Sequence, residues 1–342
     1  MFLPVLLIHR YGWLGFVIFT IPNIIGCTAF GYVIRTPERS KALVEKYKTA
    51  MSLFAIVTIA FHVFFIAMLS LVYLNDYLYF ISLWIPFCIL AIGACLAFLP
   101  TKFWPILAGM LWFFSIAVGL SFFPYKVFPP GALPWQDAVW LLPITTFGFF
   151  LSPYLDPTFH RALQCSPSKH AFGVFGITFL IMIGVTSAYQ GSVLFTLSVL
   201  LGLHLALQSI FTIGAHLREG IRIEPAKRKK LFIVGVILAG IVGVVVAHRF
   251  GGISPSGTWL PGWQDDYLRF FVFYGLIFPA LVAMFMFTGR TLTPLRVALF
   301  IFTALFALPL LEIGYLRGQA WLTVLPVVVF LTWAFADRKS LT

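Results

Sequence analysis

The chain consists largely of apolar runs, each about as long as a lipid bilayer is thick. An α-helix needs about 20 apolar residues, range roughly 17–25, to cross the hydrocarbon core. With 61% hydrophobic and 10% charged residues among 342, the chain is also far too apolar to be soluble, since a soluble domain carries roughly twice that charge. We therefore predict an all-α, polytopic membrane protein in which residues 1–342 form one integral membrane domain. About eleven spans are predicted, at 11–34, 50–74, 78–100, 103–123, 135–163, 171–188, 191–217, 231–249, 267–288, 293–314 and 318–336.

The positive charges between these runs predict the orientation. If the N-terminus is outside and the spans alternate, eighteen of the 23 Lys and Arg residues fall on the inner side and five on the outer side. Because cytoplasmic loops are enriched in Lys and Arg, we predict an N-out, C-in, multi-pass protein of the cytoplasmic (inner) membrane. The cationic clusters at 35–48 and 218–230 then lie against anionic headgroups. The net charge of +12 is explained by topology and does not indicate a nucleic-acid partner.

The fifth predicted span, 135–163, differs from the others in length and composition. It is longer than a bilayer requires, and it carries Pro143, Thr145, Thr146 and Gly148 in the middle of its apolar run. Proline removes a backbone hydrogen bond, and broken backbone is tolerated in a bilayer only where it is buried in protein or lines a wet cavity. We predict a discontinuous fifth helix whose interruption, from Pro143 to Gly148, binds substrate. The alternative is a proline-kinked helix with a purely structural role.

Two histidines are predicted to lie near the middle of the membrane, His62 in the second span and His204 in the seventh. Ionisable groups at this depth are costly and are functional candidates by default. Three interpretations stay open. Each imidazole is neutral and bonded to a nearby carbonyl or threonine, or the pair binds substrate or relays protons, or the pair ligates a b-haem.

A polar group follows the fifth span. Asp156, His160 and Arg161 flank its predicted cytoplasmic end. Five residues separate the aspartate from the arginine, so the two side chains can form a salt-bridged latch, which we predict to act in gating. A solvated helix end is the simpler alternative.

The sequence contains none of the usual catalytic motifs of membrane enzymes. It has no HExxH or other zinc-ligand spacing, no P-loop, no GxSxG and no DxD motif. Intramembrane hydrolysis, lipid glycosyl transfer and prenyl transfer lack their usual residues here. We therefore predict a protein that is not an enzyme.

Two segments of the sequence resemble a known family. The segment GFFLSPYLDPTFHRALQCSPSKHAFGVFG, residues 148–176, resembles the region of sodium:solute symporters around their sixth core helix and the start of the seventh. FVIFTIPNIIGCTAFGYV, residues 16–33, is similar to the second core helix of such proteins. The resemblance implies the LeuT-type fold of the APC superfamily, in which two inverted five-helix repeats with broken first and sixth helices surround a midplane site. It also implies that His62 and His204 lie on the third and eighth core helices, which line that site. One departure is that residues 1–10 are too short to form the family's first helix.

These observations favour a secondary-transporter-like protein that moves a small polar solute by alternating access. Its predicted substrate-binding residues are Pro143, Thr145, Thr146, Gly148, His62 and His204. Coupling to Na⁺ or H⁺ is expected, and no other cofactor. One alternative is a non-transporting membrane subunit or scaffold with a degenerate transporter fold and a membrane protein partner, and a further one is a b-haem redox subunit.

Overall fold

The computed structural model describes residues 3–74, 79–122, 131, 133–187, 195–250 and 261–336. All regular structure in these residues is helical, which confirms the predicted all-α class. The helices, in chain order, are α1 (Leu3–Ile34), α2 (Pro37–Leu74), α3 (Tyr79–Ala97), α4 (Trp104–Ser121), α5 (Trp135–Leu151), α6 (Pro157–Cys165), α7 (Ala171–Thr186), α8 (Phe195–Ile223), α9 (Ala226–Phe250), α10 (Pro261–Val272), α11 (Phe278–Leu281), α12 (Pro294–Leu316) and α13 (Val324–Ala336). The predicted starts of the third and seventh spans, at 78 and 191, and the predicted ends of the fourth and sixth, at 123 and 188, lie outside the described residues.

Eight of the described helical segments are long and apolar enough to cross a membrane, which confirms a polytopic membrane protein. They are Leu3–Ile34, Pro37–Leu71, Phe80–Ala97, Thr101–Ser121, Val199–Ile223, Ala226–His248, Asp265–Met286 and Pro294–Leu316. α5 and α6 make a ninth if they are counted as one span with a bend of 53°. Two of the predicted spans correspond to shorter apolar helices, Ala171–Thr186 and Ala320–Ala336. A helix of that length is about 24 Å long, which is less than the roughly 30 Å hydrocarbon core.

The first helix begins earlier than predicted and bends sharply at Gly12. This glycine has φ 65° and ψ −153°, a conformation open to glycine but strained for other residues. Residues 3–11 fold back on the rest of α1, so that the carbonyl oxygen of Leu7 lies against Gly15. We call residues 3–11 the N-terminal half-helix. Its apolar side chains are buried: Leu3, Leu6, Leu7 and Ile8.

α2 is the central helix of the fold. It packs against α9, α8, α3 and α6, while α1 packs against α5 and α7 on the other side of the molecule. α2 has 38 residues, and a kink at Tyr47 (φ −117°, ψ 22°) divides it into two helical segments. Near its start the buried Tyr47 donates a hydrogen bond of 2.9 Å to the carbonyl of Phe285. This bond ties α2 to the C-terminal part of the chain.

The predicted interruption of the fifth span exists, but its predicted position was wrong. α5 is continuous through residues 143–148. The hydroxyl of Thr145 donates to the carbonyls of Leu141 and Leu142 within the same helix, at 3.0 and 3.1 Å. Gly148 serves a close helix crossing, because a Cβ there would lie 2.8 Å from the Cα of Gly275.

The helix instead breaks at residues 152–156. A single 3₁₀ turn, Ser152–Tyr154, follows α5, and Asp156 then has extended backbone with φ −79° and ψ 110°. Two prolines cause this break. Pro153 and Pro157 each lack a backbone N–H, and a residue that precedes proline is driven out of the helical region, which is the position of Asp156.

The span after α10 also departs from regular α-helix. Two π-helical turns, Phe273–Ile277 and Val282–Met286, flank the short α11. π turns inside helices are frequent at functional sites. The first of these turns lies directly against α5, at Gly148.

Candidate functional site: a cavity at the helix break

A cavity of about 300 Å³ lies where the break between α5 and α6 meets α1, α2, α8 and the first π turn. We call it the central cavity. Seven of its twenty lining residues are phenylalanines, and Leu3 and Pro4 of the N-terminal half-helix also line it. Its polar lining residues are Asn23, Cys27, Thr58, His62, Ser152, Asp156, His216, Tyr267 and Tyr274.

The break supplies the acidic group of the cavity. Asp156 caps the N-terminus of α6, because its Oδ1 accepts hydrogen bonds from the backbone N–H and the hydroxyl of Thr158, at 2.8 and 2.6 Å. Its Oδ2 faces Nε2 of His216 on α8 at 3.9 Å, which is too long for a hydrogen bond. Ser152 anchors the other end of the break by donating to the carbonyl of Tyr274 at 2.8 Å. The break is therefore fixed to the π turn while one carboxylate oxygen stays available.

α2 contributes a histidine held in a defined orientation. Nδ1 of His62 lies 2.8 Å from the carbonyl of Thr58, so this nitrogen carries the donated proton and Nε2 is left as an acceptor. The hydroxyl of Tyr274 donates to Oγ1 of Thr58 at 3.0 Å. The predicted bond between a histidine and a carbonyl is thus present at His62, and the residue also lines the cavity.

α1 contributes an amide and a thiol. Sγ of Cys27 lies 3.5 Å from Oδ1 of Asn23, one helical turn earlier. Both side chains line the cavity, and both follow Pro22 in the segment that resembles the second core helix of symporters.

The structure separates the predicted substrate-binding residues. His62 lines the central cavity, whereas Pro143, Thr145, Thr146 and Gly148 do not. These four lie on α5, and the nearest part of that element on the cavity wall is Phe149.

His204 also lies away from the central cavity. It is fully buried on α8, with its ring 5.9 Å from that of Phe114 on α4. It lines neither the central cavity nor the larger cavity described below.

The three predicted gating residues have different surroundings. Asp156 lines the cavity. His160 is fully buried, with Nε2 2.8 Å from the carbonyl of Tyr154 and Nδ1 2.9 Å from the hydroxyl of Ser40. Nδ1 of His160 thus joins α6 to α2, while Nε2 ties α6 to the 3₁₀ turn of the break. Arg161 points elsewhere, with Nε 3.9 Å from Oε1 of Glu219.

A second, larger cavity of about 740 Å³ lies between α4, α6, α7 and α8. We call it the arginine chamber, because Arg161, Arg218 and Glu219 line it together with rings such as Trp104 and Phe211. The buried Glu219 carboxylate is paired with three arginines, namely Arg222 at 2.6 Å, Arg218 at 3.8 Å and Arg161 at 3.9 Å.

The two cavities share a wall. His216 and Phe159 line both the central cavity and the arginine chamber, and Asp156 and Thr158 lie on either side of this wall. The Asp156–His216 pair therefore lies at the boundary between the two cavities.

The sequence reasoning missed His216, which lies at the end of the predicted seventh span, just before the cationic cluster at 218–230. A signal for it exists. Thr212, His216 and Glu219 are spaced four and three residues apart, so they form a polar stripe on one face of an otherwise apolar helix. Such a stripe faces the protein interior rather than lipid.

No family model, no curated protein and no solved structure matches the chain. The fold and the cavities therefore define the general class of the protein and not its family. The protein is a polytopic all-α membrane protein with a largely apolar cavity at a broken span, into which a few polar side chains project.

Proposed function

We propose that the protein is a membrane carrier of LeuT type that moves a small polar solute by alternating access, coupled to Na⁺ or H⁺. The observation that carries this proposal is the helix break at residues 152–156, which opens onto the central cavity and places Asp156 on its wall. Solute sites at discontinuous helices are the physical expectation for secondary carriers. The predicted interruption of the span is thus kept in the proposal, at a corrected position.

The size and chemistry of the cavity favour a small polar solute. Its volume of about 300 Å³ is at the lower end of the range of ligand pockets, which is about 300–1,000 Å³. Its wall combines phenylalanine rings with one amide, two tyrosines, two imidazoles and one carboxylate. Since none of the lining residues is Lys or Arg, Asp156 selects for a positive or hydrogen-donating group on the solute.

The N-terminal half-helix supports the same class of protein. Residues 3–11 end at the cavity, where Leu3 and Pro4 form part of the wall. Residues 3–11 remain too short to form the broken first helix that the resemblance to symporters implies, but they bring a second helix end to the cavity wall. The distribution of Lys and Arg supports an N-out, C-in orientation in the cytoplasmic membrane.

The central cavity also favours a carrier over the two alternatives. A non-transporting scaffold has no need to place ionisable side chains such as Asp156 and His62 on the wall of a cavity within the helix bundle, because removing such groups from water costs free energy. The b-haem alternative relied on His62 and His204 as its ligand pair, and His204 does not line the cavity that holds His62.

The carrier function predicts a ligand-dependent change in thermal stability. The purified protein is melted in Na⁺ or choline with panels of amino acids, sugars, nucleobases and carboxylates. A ligand at about 100 times its Kd stabilises the folded state by about 2.7 kcal/mol, so one solute class is expected to raise the melting temperature.

Two substitutions of aspartate by asparagine provide the matched variants for this experiment. Asp156→Asn removes the cavity carboxylate and is expected to abolish the shift. Asp137→Asn, at the start of α5 and outside the cavity, is expected to keep it. Flat melting curves across every panel would rule out the carrier in favour of the scaffold.

A further inference from the structure

His216 combines three properties that the proposed transport function does not yet use. It is 96% buried, since its relative exposure is 4%. It lines both cavities. Its Nδ1 has no hydrogen-bond partner among the described residues, although the atom is buried. A buried polar atom without a partner is costly, and a site at which a proton binds and leaves is one explanation for keeping it.

We propose that the Asp156–His216 pair is a proton-binding site and that the proton is the coupling ion of the carrier. This inference rests on the proposed function and selects one of its two coupling ions. In the neutral ring Nε2 carries the hydrogen, because it faces the acceptor Oδ2 of Asp156 at 3.9 Å. The lone pair of Nδ1 then takes up the proton.

Protonation changes the contact between two elements. The imidazolium that forms on His216 attracts the Asp156 carboxylate, and Nε2–H can donate to Oδ2 once the gap of 3.9 Å closes. The result is an ion pair between α8 and the helix break, across the wall between the two cavities. Loss of the Nδ1 proton to water restores the neutral ring and the wider separation.

The surrounding charges give the proton a direction. The ionisable groups that line the two cavities or pair with their lining residues are Cys27 on α1, His62 on α2, Arg161 and Cys165 on α6, Tyr267 on α10, Tyr274 on the first π turn, and Arg218, Glu219 and Arg222 on α8. On the central-cavity side Asp156 stabilises the imidazolium. On the chamber side three arginines outnumber one glutamate, so their net positive charge opposes the passage of a proton. The balance of charge therefore favours exchange of the proton with the central cavity.

Two native cysteines lie on opposite sides of the wall between the cavities, so their labelling shows whether a reagent crosses this wall. Cys27 is buried in the central cavity and Cys165 lines the arginine chamber. Membrane vesicles are treated with an impermeant maleimide on the side from which Cys165 reacts, and labelling at each cysteine is measured by peptide mass spectrometry. The labelling yield at Cys165 serves as the reference, because pH also changes the reactivity of a thiol directly.

Lowering the pH from about 8 to about 5 is expected to reduce the Cys27-to-Cys165 labelling ratio. Each pH unit below the midpoint of the His216 titration is expected to lower the ratio about tenfold, because the neutral fraction of a histidine population falls by that factor. His216→Gln removes the pH dependence. His170→Gln, a change in an exposed imidazole on the loop before α7, keeps it.

A ratio that stays constant with pH in the wild type, or that falls equally in His216→Gln, overturns the proposal. If His216→Gln does not fold, the aspartate variants decide. Asparagine is as good a helix N-cap as aspartate, so Asp156→Asn folds but loses the pH dependence, whereas Asp156→Glu keeps it.

The cysteine-labelling experiment and the melting experiment with solutes test the two proposals independently. A pH-dependent ratio in a protein that binds none of the solutes keeps the proton site and removes the carrier. A solute-dependent melting shift that needs Na⁺, with a ratio that is constant in pH, keeps the carrier and removes the proton.

Discussion

Replacing Glu219 by alanine is expected to lower the free energy of unfolding by about 3 kcal/mol. Removing one partner of a buried ion pair costs about 3–5 kcal/mol, because the remaining charge is left uncompensated. Here three arginines lose their common partner, but their side chains are 21–38% exposed. Water screens part of their charge, which places the effect at the lower end. Thermal unfolding of the purified protein, followed by tryptophan fluorescence, measures it.

The matched control is Glu45→Ala. Glu45 also forms an ion pair, with Lys48 at 2.6 Å, but its side chain is 76% exposed. An exposed pair contributes about 0–1 kcal/mol, so this variant is expected to melt close to the wild type. Equal melting temperatures for the two variants would show that Glu219 does not organise the arginines of the chamber.

The helices could be predicted from the sequence because backbone groups in lipid must form their hydrogen bonds within the protein. A run of about 20 apolar residues must satisfy its own hydrogen bonds, and a helix does so locally. The N-terminal half-helix escaped this reasoning because residues 3–11 are too few to cross a bilayer. Its burial depends on the tight bend at Gly12, which is a tertiary fit rather than a pattern of hydropathy.

The position of the helix break shows what decides between candidate prolines. Pro143 removes one hydrogen bond, and the helix continues through it. Pro153 and Pro157 act in successive turns, and Pro157 also drives Asp156 out of the helical region. Two prolines four residues apart are therefore a stronger indication of a break than one proline accompanied by threonine and glycine.

The predicted depth of a residue in the membrane also did not identify which histidine of α8 lines the central cavity. His204 and His216 are twelve residues apart, and at 3.6 residues per turn their side chains point about 120° away from each other. His204 consequently faces α4, and His216 faces the helix break. Which face of α8 is turned toward the cavity follows from its packing against α2, which hydropathy does not encode.

Replacing Gly26 by alanine is expected to destabilise the protein by about 1–3 kcal/mol or more, the usual cost of overpacking. Gly26 lies where α1 crosses α5. A Cβ at this position would overlap the carbonyl oxygen of Phe149 and lie 2.8 Å from the Cα of Phe150. These are backbone atoms, so no side-chain rotation relieves the overlap and the two helices must separate.

The control is Gly109→Ala on α4, where an added Cβ meets no atom within 4 Å. Alanine is the better helix residue by about 0.5–1 kcal/mol, so this variant is expected to match or exceed the wild-type melting temperature. The Gly26 variant has a second consequence, because Asn23, Cys27 and Phe149 at the same crossing line the central cavity. Any solute-dependent rise in melting temperature should therefore shrink in Gly26→Ala and persist in Gly109→Ala. If Gly26→Ala melted like the wild type and kept the full solute response, the α1–α5 crossing would not set the shape of the cavity.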